Sequence, residues 1–437
     1  MAGSLEHAAS AFLASLDRAG PLVVAVSGGG DSMALLASLD EANRTLGAPR
    51  RLIAATVDHG LRAGSAAEAE MVAGFCATRG LCHRILRWEG EKPQSGLQAK
   101  ARLARYDLLA GCAEREGAIA IVTAHTFDDQ VETVAMRSRR STTAGGSAPG
   151  LAGMATATLF RRRHWILRPF LTLRRADLRH WLEEASVGWI DDPSNEDRRF
   201  ERVRTRSETQ GISAASIENH RSARVERAAR LAAIIGERVR LHSGVALSFA
   251  WSGEDHRDME ELIGVLAPLV GGKAYAAGAV PTARASALLQ AGGGNARATV
   301  ARVLLHRRAG RVYLHRERRG LDAVRLAAGA ETVIDGRYRV RNASSDTALI
   351  DFGAPGETPA GDLPPIIAKA AFAAEPYLDG RSLAVRCAGE RGMVTVERHL
   401  APHDVFLPLF DLRIADACAF LFGIRPYPAP PSQLGIL

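Results

Sequence analysis

Short apolar runs and longer stretches of helical periodicity alternate through the first part of the chain. The apolar runs predict strands at residues 22–26, 52–57, 81–86 and 118–123. The amphipathic stretches predict helices at 65–79, at 94–116 and from about 128 onwards. Strands separated by helices at this spacing form βαβ units. The pattern therefore predicts an α/β domain on a doubly wound parallel sheet, with ligands beyond the carboxyl ends of its strands.

The pattern changes in the second half of the chain. Residues 198–240 are helical and rich in Arg, and β-like runs such as 311–317 and 337–343 follow among further helical stretches. We therefore expect a helical linker and then a mixed α+β C-terminal region. The expected division is 1–206 for the α/β domain, 207–320 for a mainly helical, basic region, and 321–437 for a small α+β domain.

A polar, glycine-rich loop follows the first predicted strand directly and precedes a helix. Its residues are Ser27, Gly28, Gly29, Gly30, Asp31 and Ser32. Glycines let the backbone approach a ligand closely, and the N–H groups at a helix start favour anions, so the loop suits phosphates. A carboxylate beside phosphates is repelled unless a divalent cation lies between them, so Asp31 indicates Mg²⁺. The loop lacks the Gly-Lys-Ser/Thr of a Walker A motif.

Two pairs of polar residues offer further contacts to a nucleotide. Asp58 and His59 follow the second predicted strand, where they can hydrogen-bond an adenine or a ribose. A capped turn at Gly60 is the alternative interpretation. Arg102 and Arg105 lie three residues apart on a predicted helix and therefore share a face. Two guanidinium groups on one face suit phosphates, and a solvated basic surface is the alternative.

Three carboxylates, those of Asp128, Asp129 and Glu132, lie in the first turns of the helix after the fourth predicted strand. Acids near a helix N-terminus interact favourably with its dipole, by about 0.3–1 kcal/mol each, so helix stabilisation is one interpretation. Three clustered acids also repel one another, and a cation relieves that repulsion. The ammonium groups of a lysine molecule are such cations.

The glycine-rich loop resembles the SGGxDS phosphate loop of the N-type ATP pyrophosphatases, the PP-loop superfamily. Further motifs follow in order: VDHGLR at 57–62, ARLARY at 101–106, HTFDDQVET at 125–133, GLAGM at 150–154, RP at 168–169 and DPSN at 192–195. This ordered series resembles the tRNA(Ile)-lysidine synthetase family over about residues 20–206. The resemblance implies a fold of the adenine nucleotide alpha hydrolase type and an ATP-dependent ligase.

The resemblance also implies a reaction and its partners. ATP adenylates O2 of the wobble cytidine, at position 34, of an isoleucine tRNA with a CAU anticodon, and pyrophosphate leaves. Lysine then displaces AMP at C2 and forms lysidine. The implied partners are that tRNA, L-lysine, ATP as co-substrate and Mg²⁺. The resemblance also implies that residues 1–206 form the PP-loop catalytic domain and that the basic region 207–320 contacts the tRNA.

Roles for individual residues follow from the same resemblance. The ATP-binding set is Ser27, Gly28, Gly29, Gly30, Asp31, Ser32, Asp58, His59 and His125, with Asp31 also holding Mg²⁺. The phosphate-binding and catalytic set is Arg102, Arg105, Asp128 and Arg202. Asp129 and Glu132 are expected to hold lysine, while Asp128 lies closer to ATP and the metal.

The chain departs from the family pattern at two places. An R-G-S-G element is usual after the H-x-x-D-D-Q helix, whereas residues 137–154 read RSRRSTTAGGSAPGLAGM, which is altered and longer. Val203 replaces the Asn that usually follows an Arg. Arg202 stays a candidate phosphate contact, with a surface position as the alternative.

Composition narrows the classes of protein further. The hydrophobic share of 47% and charged share of 24% are typical of globular proteins. No apolar run approaches the roughly 18 residues of a membrane span. The net charge of +8 fits a polyanionic partner. Five cysteines without a C-x-x-C motif favour a reduced, cytoplasmic protein.

The expected assembly is a homodimer. Two other functions stay open at this point. The first alternative is another PP-loop ATP pyrophosphatase, either tRNA-modifying or amide-forming, because such an enzyme would have the same glycine-rich loop. Thiolating enzymes commonly use paired cysteines, so the missing C-x-x-C argues against that branch. A non-catalytic RNA-binding protein on a degenerate nucleotide fold is the third hypothesis, and the complete loop and acidic trio argue against it.

Overall fold

A computed structural model describes residues 2–60, 65–90, 92–93, 95–141, 149–191, 212–251, 256–292, 295–353, 361–387 and 393–433. The chain divides into two compact units. The first comprises Met1–Arg224, Pro408–Phe410 and Pro428–Leu437, and the second comprises Val225–Leu407 and Asp411–Tyr427.

The N-terminal part of the first unit alternates strands and helices. Its elements are α1 (Ala2–Ala14), β1 (Leu22–Ala25), α2 (Gly30–Arg44), β2 (Leu52–Asp58), α3 (Ser65–Arg79), β3 (Cys82–Arg87), α4 (Leu97–Glu116), β4 (Ala120–Val122), α5 (Phe127–Ser141), β5 (Ala157–Phe160), β6 (His164–Leu167) and α6 (Arg175–Glu184). A 3-10 turn covers Pro149–Ala152. The four predicted strands are confirmed within two residues at either end, and the helix predicted at 65–79 has those bounds.

These strands form a largely parallel sheet in the order β5-β6-β4-β1-β2-β3. β1 pairs in parallel with both β2 and β4, and only β5 runs antiparallel, against β6. Every residue of β1 and β4 is buried, as the continuous apolar runs require of strands covered on both faces. The predicted parallel α/β core is therefore confirmed.

The strand order reverses direction between β1 and β4. From β1 the chain proceeds outwards to β2 and β3, and it then returns to the other side of β1 with β4. A crevice opens at such a switch point beyond the carboxyl ends of the two strands, and ligands of open α/β sheets bind there. The glycine-rich loop leaves β1 and the acidic helix α5 follows β4, so the topology brings both to this crevice.

The remaining elements start with α7 (Ala214–Arg238), which confirms part of the predicted helical stretch at 198–240; residues 198–211 lie outside the described part. Along the chain follow β7 (Arg240–His242), β8 (Ala246–Ala250), α8 (His256–Gly271), α9 (Ala279–Ala291), β9 (Arg297–Val300), β10 (Val303–Arg308), β11 (Arg311–Arg316), β12 (Val324–Leu326), β13 (Glu331–Ile334), β14 (Tyr338–Asn342), β15 (Ala348–Phe352), α10 (Pro365–Ala373), β16 (Pro376–Leu378), β17 (Arg381–Ser382), α11 (Leu383–Arg386), β18 (Val394–Arg398), α12 (Ala401–Asp404), β19 (Phe406–Pro408) and α13 (Leu412–Leu421).

The second unit is a mixed α+β structure with antiparallel sheets, as expected for the C-terminal region. One sheet has the order β7-β8-β11-β10-β9, and its apolar face packs with α8 and α9 in a common core. Two smaller sheets have the orders β12-β15-β16-β17 and β13-β14-β18. The β-like runs at 311–317 and 337–343 correspond to β11 and β14.

The structure differs from the expected division of the chain. A mainly helical region was expected at 207–320, but the strands β7 to β11 fall within it. The expected boundary between residues 320 and 321 lies inside the second unit. Among these strands, β9 alternates buried with exposed residues and β7 has only three residues, so these two carry a weaker sequence signal than a buried parallel strand does. Among the described residues, no helix is long and apolar enough to cross a membrane.

Candidate active site

The glycine-rich loop joins β1 to α2 at the switch point of the sheet. Gly28 has φ +84, in the left-handed region that glycine adopts without strain. The serines fold the loop onto itself, because the Ser27 amide donates to Ser32 Oγ at 3.1 Å and Ser32 Oγ donates to Gly29 O at 2.9 Å. The expected set of Ser27 to Ser32 therefore forms one compact turn. The N-terminus of α2 begins within it, at Gly30.

A second segment packs against this loop. The Ile190 amide donates to Gly28 O at 2.9 Å, and a Cβ on Gly30 would meet Trp189 at 3.5 Å. Arg179 lies on the same side of Gly30 and pairs with Asp191 at 2.5 Å. Residues 189–191 thus cover one side of the loop and lead directly into the DPSN motif. That motif and the candidate Arg202 lie outside the described residues.

Asp58 and His59 lie at the carboxyl end of β2, beside β1. Asp58 Oδ1 accepts a hydrogen bond from the Gly60 amide at 2.9 Å, and Gly60 has φ +61. The capped turn at Gly60, which was the alternative interpretation of these residues, is therefore present. His59 contacts Trp88 edge to face, with ring centroids 5.9 Å apart. The two side chains are positioned at the expected edge of the sheet.

Arg102 and Arg105 belong to a group of side chains around the buried Tyr106 on α4. The Arg102 guanidinium lies 5.1 Å from the Tyr106 ring centroid. Burial by itself raises the pKa of Tyr106, but Arg102, Arg168 and Arg105 together outweigh it and lower that pKa below its usual value. Arg168 is buried and donates to Ala155 O at 2.9 Å. These three cations lie close enough together to act on one phenol, and the two on α4 remain accessible.

His125 lies between β4 and α5. Its ring Nδ1 is 3.0 Å from Thr123 Oγ1, and its amide donates to Thr123 O at 3.1 Å. Thr123 is itself anchored, because its amide donates to Leu167 O on β6 at 3.0 Å. The imidazole is therefore held by a short turn at the carboxyl end of β4, which is one wall of the crevice.

The carboxylates of α5 serve both as helix caps and as a charged cluster. Asp129 Oδ2 accepts hydrogen bonds from the Thr126 amide at 2.8 Å and from Thr126 Oγ1 at 3.1 Å. Asp128 Oδ2 accepts one from the Arg175 amide at 2.8 Å, at the start of α6. Asp129 therefore stabilises the start of its own helix, whereas Asp128 caps the start of α6. Glu132 is 3% exposed and lies deeper along the helix.

Arg175 connects these carboxylates to the glycine-rich loop. Its Nε donates to Asp31 Oδ2 at 3.0 Å, and one terminal nitrogen donates to Asp129 Oδ1 at 3.3 Å. The other terminal nitrogen lies 3.7 Å from Glu132 Oε1. Arg175 was not among the site residues predicted from the sequence. The sequence does contain a hint of its role. A cation at the first position of a helix interacts unfavourably with the helix dipole, so a compensating carboxylate can be expected nearby.

Asp31 combines burial with an unused oxygen. Its Oδ1 is buried and has no hydrogen-bond partner among the described residues. Burial raises the pKa of the Asp31 carboxyl above its usual value, against the opposing attraction of Arg175. Among the described residues, no group of three or more His, Cys, Asp or Glu side chains is arranged to hold a metal ion. A metal at Asp31 would therefore need further ligands from substrate or water.

Several known proteins are similar to this chain over most of its length. Residues 2–210 match a family model described as a PP-loop domain. The tRNA(Ile)-lysidine synthase of Rhizobium meliloti is 42% identical, over 96% of this chain and 95% of that protein. The synthase of the same name from Mesorhizobium japonicum is 41% identical over 94% of each chain. That of Brucella melitensis is 34% identical, over 93% of this chain and 96% of its own length.

Proposed function

Since the chain belongs to the tRNA(Ile)-lysidine synthase family, we propose that it ligates lysine to C2 of the wobble cytidine of an isoleucine tRNA with a CAU anticodon. The resemblance inferred from the ordered motifs is confirmed by these relatives. ATP is the co-substrate, as its PP-loop domain implies. A tRNA substrate is consistent with the cytoplasmic location expected from the sequence.

One observation carries the proposal for the site. A single guanidinium, that of Arg175, contacts both Asp31 of the glycine-rich loop and Asp129 on the acidic helix. The glycine-rich loop and the carboxylate cluster therefore lie within one side chain of each other. A two-step ligation needs this proximity, because the adenylated base must be attacked by the amine before water reaches it.

The triphosphate would bind at Ser27–Ser32 on the N-terminus of α2. Backbone N–H groups and the positive end of the helix dipole attract anions there. Asp58, His59 and His125 lie at the carboxyl ends of β2 and β4, the two strands that flank β1, and they would contact the nucleoside there. Arg102, Arg105 and Arg202 would supply positive charge to phosphates.

Asp31 fits a magnesium ion bound together with ATP. Its Oδ1 is buried without a hydrogen-bond partner among the described residues, while Oδ2 is already held by Arg175. Mg²⁺ usually takes one or two carboxylates together with substrate phosphates and waters, which suits this single oxygen. When bound, the ion would neutralise phosphate charge. Asp128, whose Oδ2 is held by the start of α6, lies close to the same region.

The reaction proceeds in two displacements. O2 of the cytidine attacks the α-phosphorus of ATP, the bond to the β-phosphate oxygen breaks, and pyrophosphate leaves. The amine of lysine then attacks C2 and loses a proton, and AMP departs with the former O2. Asp129 and Glu132 would hold the substrate ammonium, since a buried carboxylate such as Glu132 attracts a cation more strongly than a solvated one does.

The tRNA body would be held by the basic parts of the chain outside this site. We keep residues 207–320 as the proposed tRNA-contacting region. Residues 321–407, expected as part of a separate small domain, belong to the same compact unit as residues 225–320. Contacts to phosphates and 2′-hydroxyl groups suit recognition of a folded RNA by shape. A homodimer stays the proposed assembly, and light scattering on the purified full chain tests it.

The decisive experiment incubates the purified full chain with labelled lysine, ATP, Mg²⁺ and an unmodified isoleucine transcript carrying CAU. We expect lysine to enter this transcript and not a methionine transcript with the same anticodon. Asp31→Ala should abolish adenylation and leave tRNA binding intact. The control Asp107→Ala, which removes an exposed ion pair with Arg161, should leave both adenylation and tRNA binding intact. Glu132→Gln should raise the lysine KM, and Glu114→Gln at an exposed site should leave it unchanged.

Other outcomes of this experiment would change the proposal. Pyrophosphate exchange without lysine incorporation would favour a different PP-loop ATP pyrophosphatase. Neither exchange nor incorporation, with tRNA still bound, would favour a non-catalytic RNA-binding protein.

A further inference from the structure

Arg175 occupies the position that a substrate cation would be expected to take. Its guanidinium lies among carboxylates of two helices, at 3.0 Å from Asp31 and 3.3 Å from Asp129. Glu132 is the third, at 3.7 Å. Asp129 and Glu132 are the residues that we propose to hold the substrate ammonium. A protein cation and a substrate cation therefore compete for the same oxygens.

Local helix energetics do not account for a cation at this place. Arg175 is the first residue of α6, and Arg174 before it is the N-cap. A positive side chain at a helix N-terminus is unfavourable with respect to the dipole. Arg174 turns away onto the Phe127 ring, at 4.5 Å from its centroid. Arg175 instead points into the carboxylates, and their attraction outweighs burial and raises its pKa.

The guanidinium has a second partner within reach once a nucleotide is bound. Asp31 belongs to the loop that would hold the triphosphate, so phosphate oxygens would lie beside the group that Arg175 already contacts. Guanidinium groups bind phosphates through paired, charge-assisted hydrogen bonds, and a triphosphate carries more charge than one carboxylate. The side chain is 22% exposed, so part of it reaches the surface of the crevice.

From these contacts we propose that Arg175 is a positioning residue that transfers its guanidinium from the carboxylates to the triphosphate when ATP binds, and so opens Asp129 and Glu132 to lysine. The inference rests on the proposed function and adds an order of binding to it. Before ATP is present, Arg175 neutralises the acidic cluster and weakens lysine binding. After ATP binds, the cluster is free to receive the ammonium group.

This exchange makes the two ligands cooperative. If ATP strengthens lysine binding by some factor, lysine must strengthen ATP binding by the same factor. A purely structural role for Arg175 predicts something else: its loss would weaken both ligands or the fold, and would not strengthen lysine binding. The sign of the change in lysine affinity without nucleotide therefore separates the two roles.

The test measures the Kd of lysine by calorimetry on the full chain, with and without α,β-methylene-ATP, which cannot be cleaved at the α–β position. For the unmodified protein we expect the analogue to tighten lysine binding by at least about fivefold. In Arg175→Met, lysine alone should bind more tightly than it does to the unmodified protein, and the analogue should change its Kd by less than about twofold.

Three further variants make the result decisive. Arg175→Gln keeps a donor for Asp31 without the charge and should behave as Arg175→Met does, which covers the case in which the methionine variant does not fold. Arg175→Lys keeps a cation and should retain weak lysine binding without nucleotide. Arg84→Met removes an ion-paired arginine on β3, bonded to Glu116 at 2.8 Å, and should retain the full cooperativity.

Two results would overturn the inference, and they can be told apart. Lysine binding that stays fivefold or more dependent on the analogue in both Arg175→Met and Arg175→Gln overturns the exchange alone. Failure of lysine to bind the unmodified protein even with the analogue bound overturns the proposed lysine site as well.

Discussion

Gln130 offers the sharpest test of how the acidic helix is held in place. It lies on α5 between Asp129 and Glu132 and is 1% exposed. Its amide pairs with the backbone of Met154 in both directions: the Met154 amide donates to Gln130 Oε1 at 2.5 Å, and Gln130 Nε2 donates to Met154 O at 3.0 Å. The neighbouring Gly153 has φ +66, and a Cβ there would lie 2.3 Å from Gln130 Oε1. The HTFDDQ and GLAGM motifs are therefore joined by this one side chain.

Gln130→Leu keeps the approximate volume of the side chain and removes both hydrogen bonds. The Met154 amide and carbonyl would then lose these partners in a partly buried position, at a cost of up to about 3 kcal/mol for each group. We expect the free energy of unfolding of the first unit to fall by about 2–5 kcal/mol.

Urea unfolding of the full chain, followed by tryptophan fluorescence, measures this loss. Trp88, Trp165, Trp181 and Trp189 belong to the first unit, whereas Trp251 belongs to the second, so the signal reports mainly the first unit. The matched control is Gln98→Leu on α4, where the glutamine is exposed. It should change stability by no more than about 0.5 kcal/mol. Equal unfolding midpoints for the two variants would refute the assigned role of Gln130.

Two further predictions concern the glycine-rich loop and a buried histidine pair. Gly28→Ala places a Cβ at φ +84 and should cost about 1–2 kcal/mol in a urea melt. Gly30→Ala, whose nearest neighbour would be Trp189 at 3.5 Å, should cost nothing measurable, and equal losses for both would contradict the backbone argument. In the second unit, His306 Nε2 and His315 Nε2 lie 3.1 Å apart, and burial and then His315 lower the pKa of His306 to about 4. In the unfolded chain His306 takes up a proton near pH 6.5, whereas in the folded chain it does so only near pH 4. The free energy of unfolding should therefore carry no penalty from His306 above pH 6.5. It should fall by up to about 3 kcal/mol as the pH drops towards 4. Urea melts from pH 7.5 to 4.5 should show this slope and lose much of it in His306→Gln; an unchanged slope would rule out His306 as its source.

Local pattern alone determined the catalytic half of this protein to a large extent. The buried apolar runs predicted β1, β2, β3 and β4, because a parallel strand covered on both faces must be apolar along its whole length. The six residues from Ser27 to Ser32 predicted a phosphate-binding turn, since glycine content, hydroxyls and an adjoining helix all lie within one short stretch. In each case the information is contained in residues that are neighbours in the chain.

Only the tertiary structure decided which side chains meet across the site. Arg175 and Asp31 are 144 residues apart in sequence, and they meet because the ends of β1, β4 and β6 adjoin in the sheet. Gln130 and Met154 also meet through the fold. Nothing in the sequence of the HTFDDQ motif predicts a contact with the GLAGM motif. An arginine or a glutamine has the same helical pattern whether it faces solvent or a partner. The partner is set by strand order and register, which depend on the whole chain burying its apolar surface at once.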